Sequence, residues 1–174
     1  MSLLFLEILP GVRNCVEKAN VQPRESVLID IDITFDPDPM VVQALATVLK
    51  EKGAEVSVLY HRQIGREESI PKTIENAAYS ADIIFQMGRG VGLHNLAGMR
   101  AMFEYGATLY GIMVQKPEDF MHPGAIFPIE VFAVIQRNHH ERIMKGKRLH
   151  LTDPKGTDFS ASIDPTKRAI TFHT

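Results

Sequence analysis

Cysteine is nearly absent from this sequence, and neither sign of charge dominates it. Cys15 is the one cysteine among 174 residues, so no internal disulfide can form, and a chain of this length can bury a core without one. The helical apolar pattern around Cys15 predicts a buried thiol and not a nucleophile. Nineteen Lys and Arg against 21 Asp and Glu residues give no electrostatic basis for a nucleic-acid partner.

The sequence also has no long uninterrupted apolar run. The most apolar stretch near the N-terminus is broken by Glu7 and Pro10, and it has neither a basic lead nor a small-residue cleavage site. It therefore predicts neither a signal peptide nor a membrane span. We expect a cytoplasmic protein with no membrane partner.

Metal-binding motifs are missing as well. The sequence contains no HExxH and no CxxC, and His139 and His140 are adjacent, which would point them about 100° apart on a helix. We expect His61, His122 and His150 to be surface or capping side chains. The sequence thus predicts no metal and no other cofactor in this chain alone.

Helical and strand-like patterns alternate along residues 1–146. Pro10 predicts a break in the first helix, and Asp38 followed by Pro39 predicts the start of the second. Four apolar runs predict central, nearly fully buried strands of one parallel sheet: 27–31, 56–60, 83–87 and 108–112. This repetition indicates the α/β class, with a Rossmann-like parallel sheet and helices on both faces.

The pattern changes after Gly146. Short strand-like segments at 147–152, 157–163 and 168–173 are separated by turn compositions, which predicts a short antiparallel β tail. No helical pattern is available to cover the tail, and its edge lacks a partner. We therefore divide the chain into an α/β domain, residues 1–146, and a β segment, residues 147–174. We expect the segment to open a truncated second domain or to pair with another chain, as in a homo-oligomer.

One loop carries the leading candidate residues. The segment 88–92 is spaced with glycines and leads into Leu93 and His94, after a predicted strand and before a predicted helix. Ligands of open α/β sheets collect at the carboxyl ends of strands, so His94 is a candidate acid or base and Arg89 a candidate carboxylate ligand. The structural alternatives are a hydrogen-bonded histidine near a helix start and an exposed arginine. The glycine spacing fits neither a dinucleotide fold nor a P-loop.

A second candidate is the carboxylate pair Asp30 and Asp32 at the end of the first strand. A period of two places both side chains on one face of the sheet. They could bind a ribose or a metal ion, but we favour capping of the loop that follows.

Two segments resemble a known family. The first is Gly92-Leu93-His94-Asn95 followed by Tyr105-Gly106-Ala107-Thr108, and the second is the stretch 149–159 with its Gly156-Thr157-Asp158 sequence. Both are similar to segments of the aminopeptidase T-like metallopeptidases. The similarity extends to 2,5-dihydroxypyridine 5,6-dioxygenase, an iron enzyme of related fold, in which a Leu-His pair matches Leu93-His94 and a Pro-Glu turn matches Lys116-Pro117-Glu118. The resemblance spans most of residues 20–164.

The resemblance implies a two-domain metal-dependent enzyme with an α/β N-terminal domain and all metal ligands in the C-terminal domain. The divalent metal, Fe(II) for a dioxygenase and Zn or Co for a hydrolase, would belong to that missing domain. The resemblance also implies that His94 acts as acid or base near a ring substrate and that Leu93 shapes the pocket. A small molecule or a peptide is the implied partner.

Three classes of function remain open. The leading class is the substrate-side domain of a metalloenzyme, either a ring-cleaving dioxygenase or a leucyl aminopeptidase, and we expect the chain alone to be inactive. The Leu93-His94 pair favours the dioxygenase. The second class is a metal-free binding or interaction domain. The third, a nucleotide-binding Rossmann-type protein, rests only on the βα alternation and the glycine-spaced loop.

Overall fold

The computed structural model describes residues 2–65, 68–88, 96–164 and 166. The chain divides into two compact units, Met1–Ile126 and Phe127–Thr174. The division precedes the last helix, whereas the sequence places its boundary at residue 146. That residues 147–174 open a further domain stays a prediction.

The first unit is built on a parallel sheet. Its strands are β1 (Ser26–Asp32), β2 (Glu55–His61), β3 (Ile83–Met87) and β4 (Thr108–Gly111), in the order β2-β1-β3-β4. Its helices are α1 (Leu3–Lys18), α2 (Pro39–Glu51), α3 (Lys72–Tyr79) and α4 (Leu96–Phe103), with a 3-10 turn at Pro117–Met121. Every strand pairing in this sheet is parallel, which confirms the predicted α/β class.

Successive side chains of a strand point to opposite faces of the sheet, so each buried strand has apolar side chains on both faces. Helices cover both of these faces. Ile29 and Phe85 belong to the larger core, which includes the apolar side chains of α1 and α2. Leu28 and Ile84 belong to a smaller core with Ala78 of α3. The candidate site lies at the carboxyl ends of these strands.

The burial of the strands corrects one prediction. β1 and β3 are central and almost wholly buried, as expected, but β2 and β4 are the two edges of the sheet. Tyr60 of β2 is 57% exposed, and the residues of β4 are exposed or half-buried. The prediction that all four runs are central is wrong for these two, because a sheet of four strands that does not close into a barrel has two edges.

The first helix also differs from the prediction, because α1 runs without a break through Pro10. Pro10 and Leu6 are exposed, so water can hydrate the carbonyl that loses its intrahelical partner at the proline. Buried residues on either side of Pro10, Ile8 and Val12 among them, hold the helix on the core. The start of α2 is as predicted: the Asp38 side chain accepts a hydrogen bond from the Met40 amide, with proline at the first helical position.

The second unit contains helix α5 (Ile129–Lys145) and strands β5 (Arg148–Thr152) and β6 (Asp158–Ser162). The two strands pair antiparallel, as predicted, and Gly156 in the turn between them has φ +103°. Asp153 stabilises the turn, since its carboxylate accepts a hydrogen bond from the Lys155 amide at 2.6 Å. The third predicted strand, 168–173, lies outside the described residues.

Within the part of the chain that the structure describes, no helix combines the length and the apolar composition that crossing a membrane requires.

Candidate functional site

Buried polar side chains gather at the carboxyl ends of the two central strands. Among the described residues, the polar or charged side chains with less than a tenth of their surface exposed are Asp30, Asp32 and Gln86. Asp30 in β1 is in register with Gln86 in β3, and Asp32 is in register with His61 at the end of β2. The parallel pairing of three strands therefore brings residues 30, 61 and 86 together from distant parts of the sequence.

Asp30 is the centre of this cluster. Its Oδ2 accepts a hydrogen bond from Nε2 of Gln86 at 3.1 Å, and its Oδ1 lies 3.0 Å from Nε2 of His61. The Asp30–His61 contact is within ion-pair distance, although its angles do not meet hydrogen-bond geometry. We call His61, Asp30 and Gln86 the edge cluster, because they lie at the edge of the sheet that is formed by the carboxyl ends of its strands.

The surroundings of His61 favour the charged imidazolium. Nδ1 lies 2.6 Å from the carbonyl oxygen of Arg62, which only accepts, so Nδ1 carries a proton. Nε2 faces a carboxylate, which attracts a second proton. The contact with Asp30 raises the pKa of His61 above its ordinary value, burial opposes the rise, and the Arg62 carbonyl adds to it. Both ring nitrogens therefore face acceptor groups, which leaves neither of them free to act as a base.

Asp32 caps the loop that follows β1. Its Oδ1 accepts hydrogen bonds from the amide of Thr34 at 2.8 Å and from the hydroxyl of Thr34 at 2.7 Å. This confirms the capping that the sequence favoured for this residue. Gly88 approaches closely, since a Cβ on that glycine would lie 3.2 Å from Cβ of Asp32.

Two members of the edge cluster were missed or misplaced by the sequence. His61 was expected to be a surface or capping residue, but its side chain is only 11% exposed and pairs with Asp30. That expectation is wrong because the parallel register places the end of β2 beside β1. Gln86 was not singled out, although it is the one polar residue in the apolar run 83–87. A polar residue in each of two buried strands was the signal that could have found the pair.

The three residues that the sequence proposed as a site, Arg89, Leu93 and His94, lie outside the described residues, so their roles stay predictions. They follow Gly88 in the sequence, and Gly88 lies close to Asp32. Cys15 behaves as predicted: it packs against the core, and burial raises the pKa of its thiol to about 11. At neutral pH the thiol is therefore protonated and a poor nucleophile.

The described residues do not supply a metal site. No group of three or more His, Cys, Asp and Glu side chains in this part of the chain could hold a metal ion. Asp30 and Asp32, which the sequence allowed as metal ligands, are instead bonded to Gln86 and Thr34.

Comparison with known proteins identifies a fold relative. The structure is similar to that of 2,5-dihydroxypyridine dioxygenase from Pseudomonas putida KT2440, with a TM-score of 0.70 and 15% sequence identity. The match covers 94% of this chain and 48% of the dioxygenase chain, so this chain spans about half the length of that protein. No protein-family model and no curated protein matches the sequence. At this identity the similarity shows the fold alone.

Proposed function

We propose that this chain is the N-terminal, substrate-side domain of a metal-dependent enzyme resembling 2,5-dihydroxypyridine dioxygenase, which opens a small aromatic ring with Fe(II). The observation that carries the proposal is the extent of the fold similarity. Nearly all of this chain matches, but the match covers only about half of the dioxygenase chain. That proportion fits one domain of a two-domain enzyme whose metal ligands lie in the other domain.

The position of the edge cluster supports the proposal. Asp30, His61 and Gln86 lie at the carboxyl ends of parallel strands, where α/β proteins place their ligand sites. Residues 89–95 come next in the sequence after Gly88, which follows β3, the strand that carries Gln86. We propose that His94 acts as acid or base toward the substrate, that Leu93 forms an apolar wall, and that Arg89 binds a carboxylate group.

His94 and His61 would then divide two tasks. A catalytic histidine needs a free ring nitrogen and a pKa near neutrality. His61 lacks the free ring nitrogen, because its two nitrogens face Asp30 and the Arg62 carbonyl. The proton transfer is therefore assigned to His94, and His61 contributes a positive charge that balances Asp30.

A leucyl aminopeptidase of the aminopeptidase T-like type is the second candidate. It is favoured by the β5–β6 hairpin, because the segment that resembles that family forms the predicted antiparallel turn around Asp153 and Gly156. A metal-free binding domain is the third possibility. Assays separate the three candidates. Only the dioxygenase consumes oxygen, only the aminopeptidase hydrolyses peptides, and only the binding domain needs no metal.

Substitution of His94 tests the proposal in the complete protein that contains this chain. We expect His94→Ala to lower turnover of 2,5-dihydroxypyridine about a hundredfold or more, the usual contribution of a general acid or base, while the iron content stays that of the parent. Leu93→Ala should mainly raise KM. His139→Ala, at an exposed position of α5, is the matched control and should leave turnover unchanged. A folded His94→Ala protein with parental turnover contradicts the proposed role.

A further inference from the structure

The orientation of the Gln86 amide is fixed by its neighbour. Nε2 of Gln86 donates to Oδ2 of Asp30, and the other oxygen of Asp30 faces His61. A carboxylate only accepts hydrogen bonds, so the NH₂ group of Gln86 has to face Asp30. The amide oxygen Oε1 must therefore point the other way.

Oε1 of Gln86 is a buried acceptor that lacks a donor. The residue is only 8% exposed, and no described group donates to this oxygen. Oδ1 of Asp30 and Nε2 of His61 also lack well-aligned hydrogen bonds, but their opposite charges lie 3.0 Å apart and compensate each other. Native proteins rarely keep a buried acceptor without a donor, so Oε1 requires explanation.

A small cavity adjoins this group. It has a volume of about 20 Å³ and is lined by Asp30, Gln86, Ile74, Ala78, Ala97 and Gly98, among other residues. A cavity needs about 10 to 15 Å³ to hold a water molecule, so this one has room for a single group of that size. Its polar lining residues are Gln86 and Asp30, whose amide oxygen and carboxylate both accept hydrogen bonds and would repel an anion.

We propose that this cavity is a binding site for one hydrogen-bond donor group, which donates to Oε1 of Gln86 beside the Asp30 carboxylate. The group is a water molecule, or a hydroxyl or ring N–H of a small molecule that reaches the carboxyl edge of the sheet. A donor with two protons can satisfy Gln86 and Asp30 together. One oxygen of Asp30 faces His61, and the other accepts from Nε2 of Gln86 and so fixes the amide with Oε1 toward the cavity.

High-resolution crystal structures of the protein, free and soaked with 2,5-dihydroxypyridine, test the site. In the free protein we expect an ordered water about 2.5 to 3.0 Å from Oε1. Replacement of that water by a hydroxyl or N–H of the soaked compound identifies a ligand subsite, whereas retention identifies a structural water; both results support the site. A dry cavity, or Oε1 bonded to another protein group, overturns it.

Two variants separate the acceptor from the space around it. Gln86→Leu removes Oε1 and should lose the bound water, whereas Ile74→Val enlarges the same cavity, keeps the acceptor and should retain the water. If Gln86→Leu does not fold, NMR of the unsubstituted protein tests whether the cavity holds a water. Magnetisation transfer between a long-lived water and the Gln86 side-chain amide supports the site, and its absence contradicts it. Only the soaking experiment with 2,5-dihydroxypyridine rests on the proposed function. The donor site can therefore be contradicted without contradicting the function, and the reverse.

Discussion

His61 gives the edge of the sheet a charge that depends on pH. Its pKa is raised in the folded protein by Asp30, while an unfolded histidine titrates near 6.5. A raised pKa stabilises the fold fully below about pH 6.5, and this stabilisation is lost as the pH rises through the folded value. We therefore expect the melting temperature to fall as the pH is raised above about 6.5.

Asp30→Asn isolates this effect. Without the carboxylate, the pKa of His61 should fall and the pH dependence should flatten, with a loss of about 1 to 3 kcal/mol at pH 6 from the weakened buried contacts. NMR titration of the His61 ring and thermal unfolding between pH 6 and 8 measure both quantities. His139→Gln, at an exposed histidine, should keep the parental slope. A parental slope in Asp30→Asn would show that the pair does not cause the dependence.

Gly11 is the tightest point of the helix packing. A Cβ at this position would lie 2.1 Å from the carbonyl oxygen of Phe120, which is backbone and cannot rotate away. Alanine gains up to about 1 kcal/mol of helix propensity, but a clash with backbone puts the cost of overpacking at about 3 kcal/mol, the upper end of its usual range, so Gly11→Ala should lose about 2 kcal/mol. Denaturant unfolding measures this loss. Gly65→Ala, where the nearest atoms lie at 3.8 Å, should stay within about 0.5 kcal/mol, and equal effects of the two variants would contradict the packing account.

At the scale of elements, the β5–β6 hairpin has an apolar face that no described residue covers fully. Leu149 and Leu151 lie on one face, Leu151 is paired with Phe159, and these two are 55% and 52% exposed. The opposite face carries His150 and Ser160. We expect a second copy of the chain to cover the apolar face, because burial of such side chains favours association.

Sedimentation of two variants tests this expectation. Leu151→Glu places a charge on the apolar face and should shift a dimer to monomers, whereas Ser160→Glu places the same charge on the polar face and should not. A parent protein that is monomeric at all concentrations, with the hairpin ordered, contradicts the expected dimer.

The elements that the sequence predicted best are those with a local signal. Apolar runs defined the central strands, and Asp38 with Pro39 defined the start of α2. The order of the strands was not accessible, because it depends on pairings between distant segments, and so β2 and β4 were taken as central. The same limit hid the edge cluster. Asp30 and Asp32 were noticed, but the partners of Asp30 come from β2 and β3 and are fixed only by the register of the sheet.

Pro10 shows the opposite case, in which a local signal was outweighed. Proline predicts a break, but the apolar residues before and after it pack against one core, and the affected carbonyl faces water. Tertiary burial therefore keeps α1 continuous.

At the scale of the whole molecule, we propose that the chain is one domain of a two-domain, iron-dependent, ring-opening enzyme. Oxygen uptake by the complete protein, loaded with Fe(II) and given 2,5-dihydroxypyridine, tests it most directly. We expect oxygen uptake that depends on the substrate, and no release of leucine from a leucyl peptide by the same preparation. Leucine release without oxygen uptake would instead support the aminopeptidase, and a folded, iron-loaded protein that shows neither activity would contradict the account.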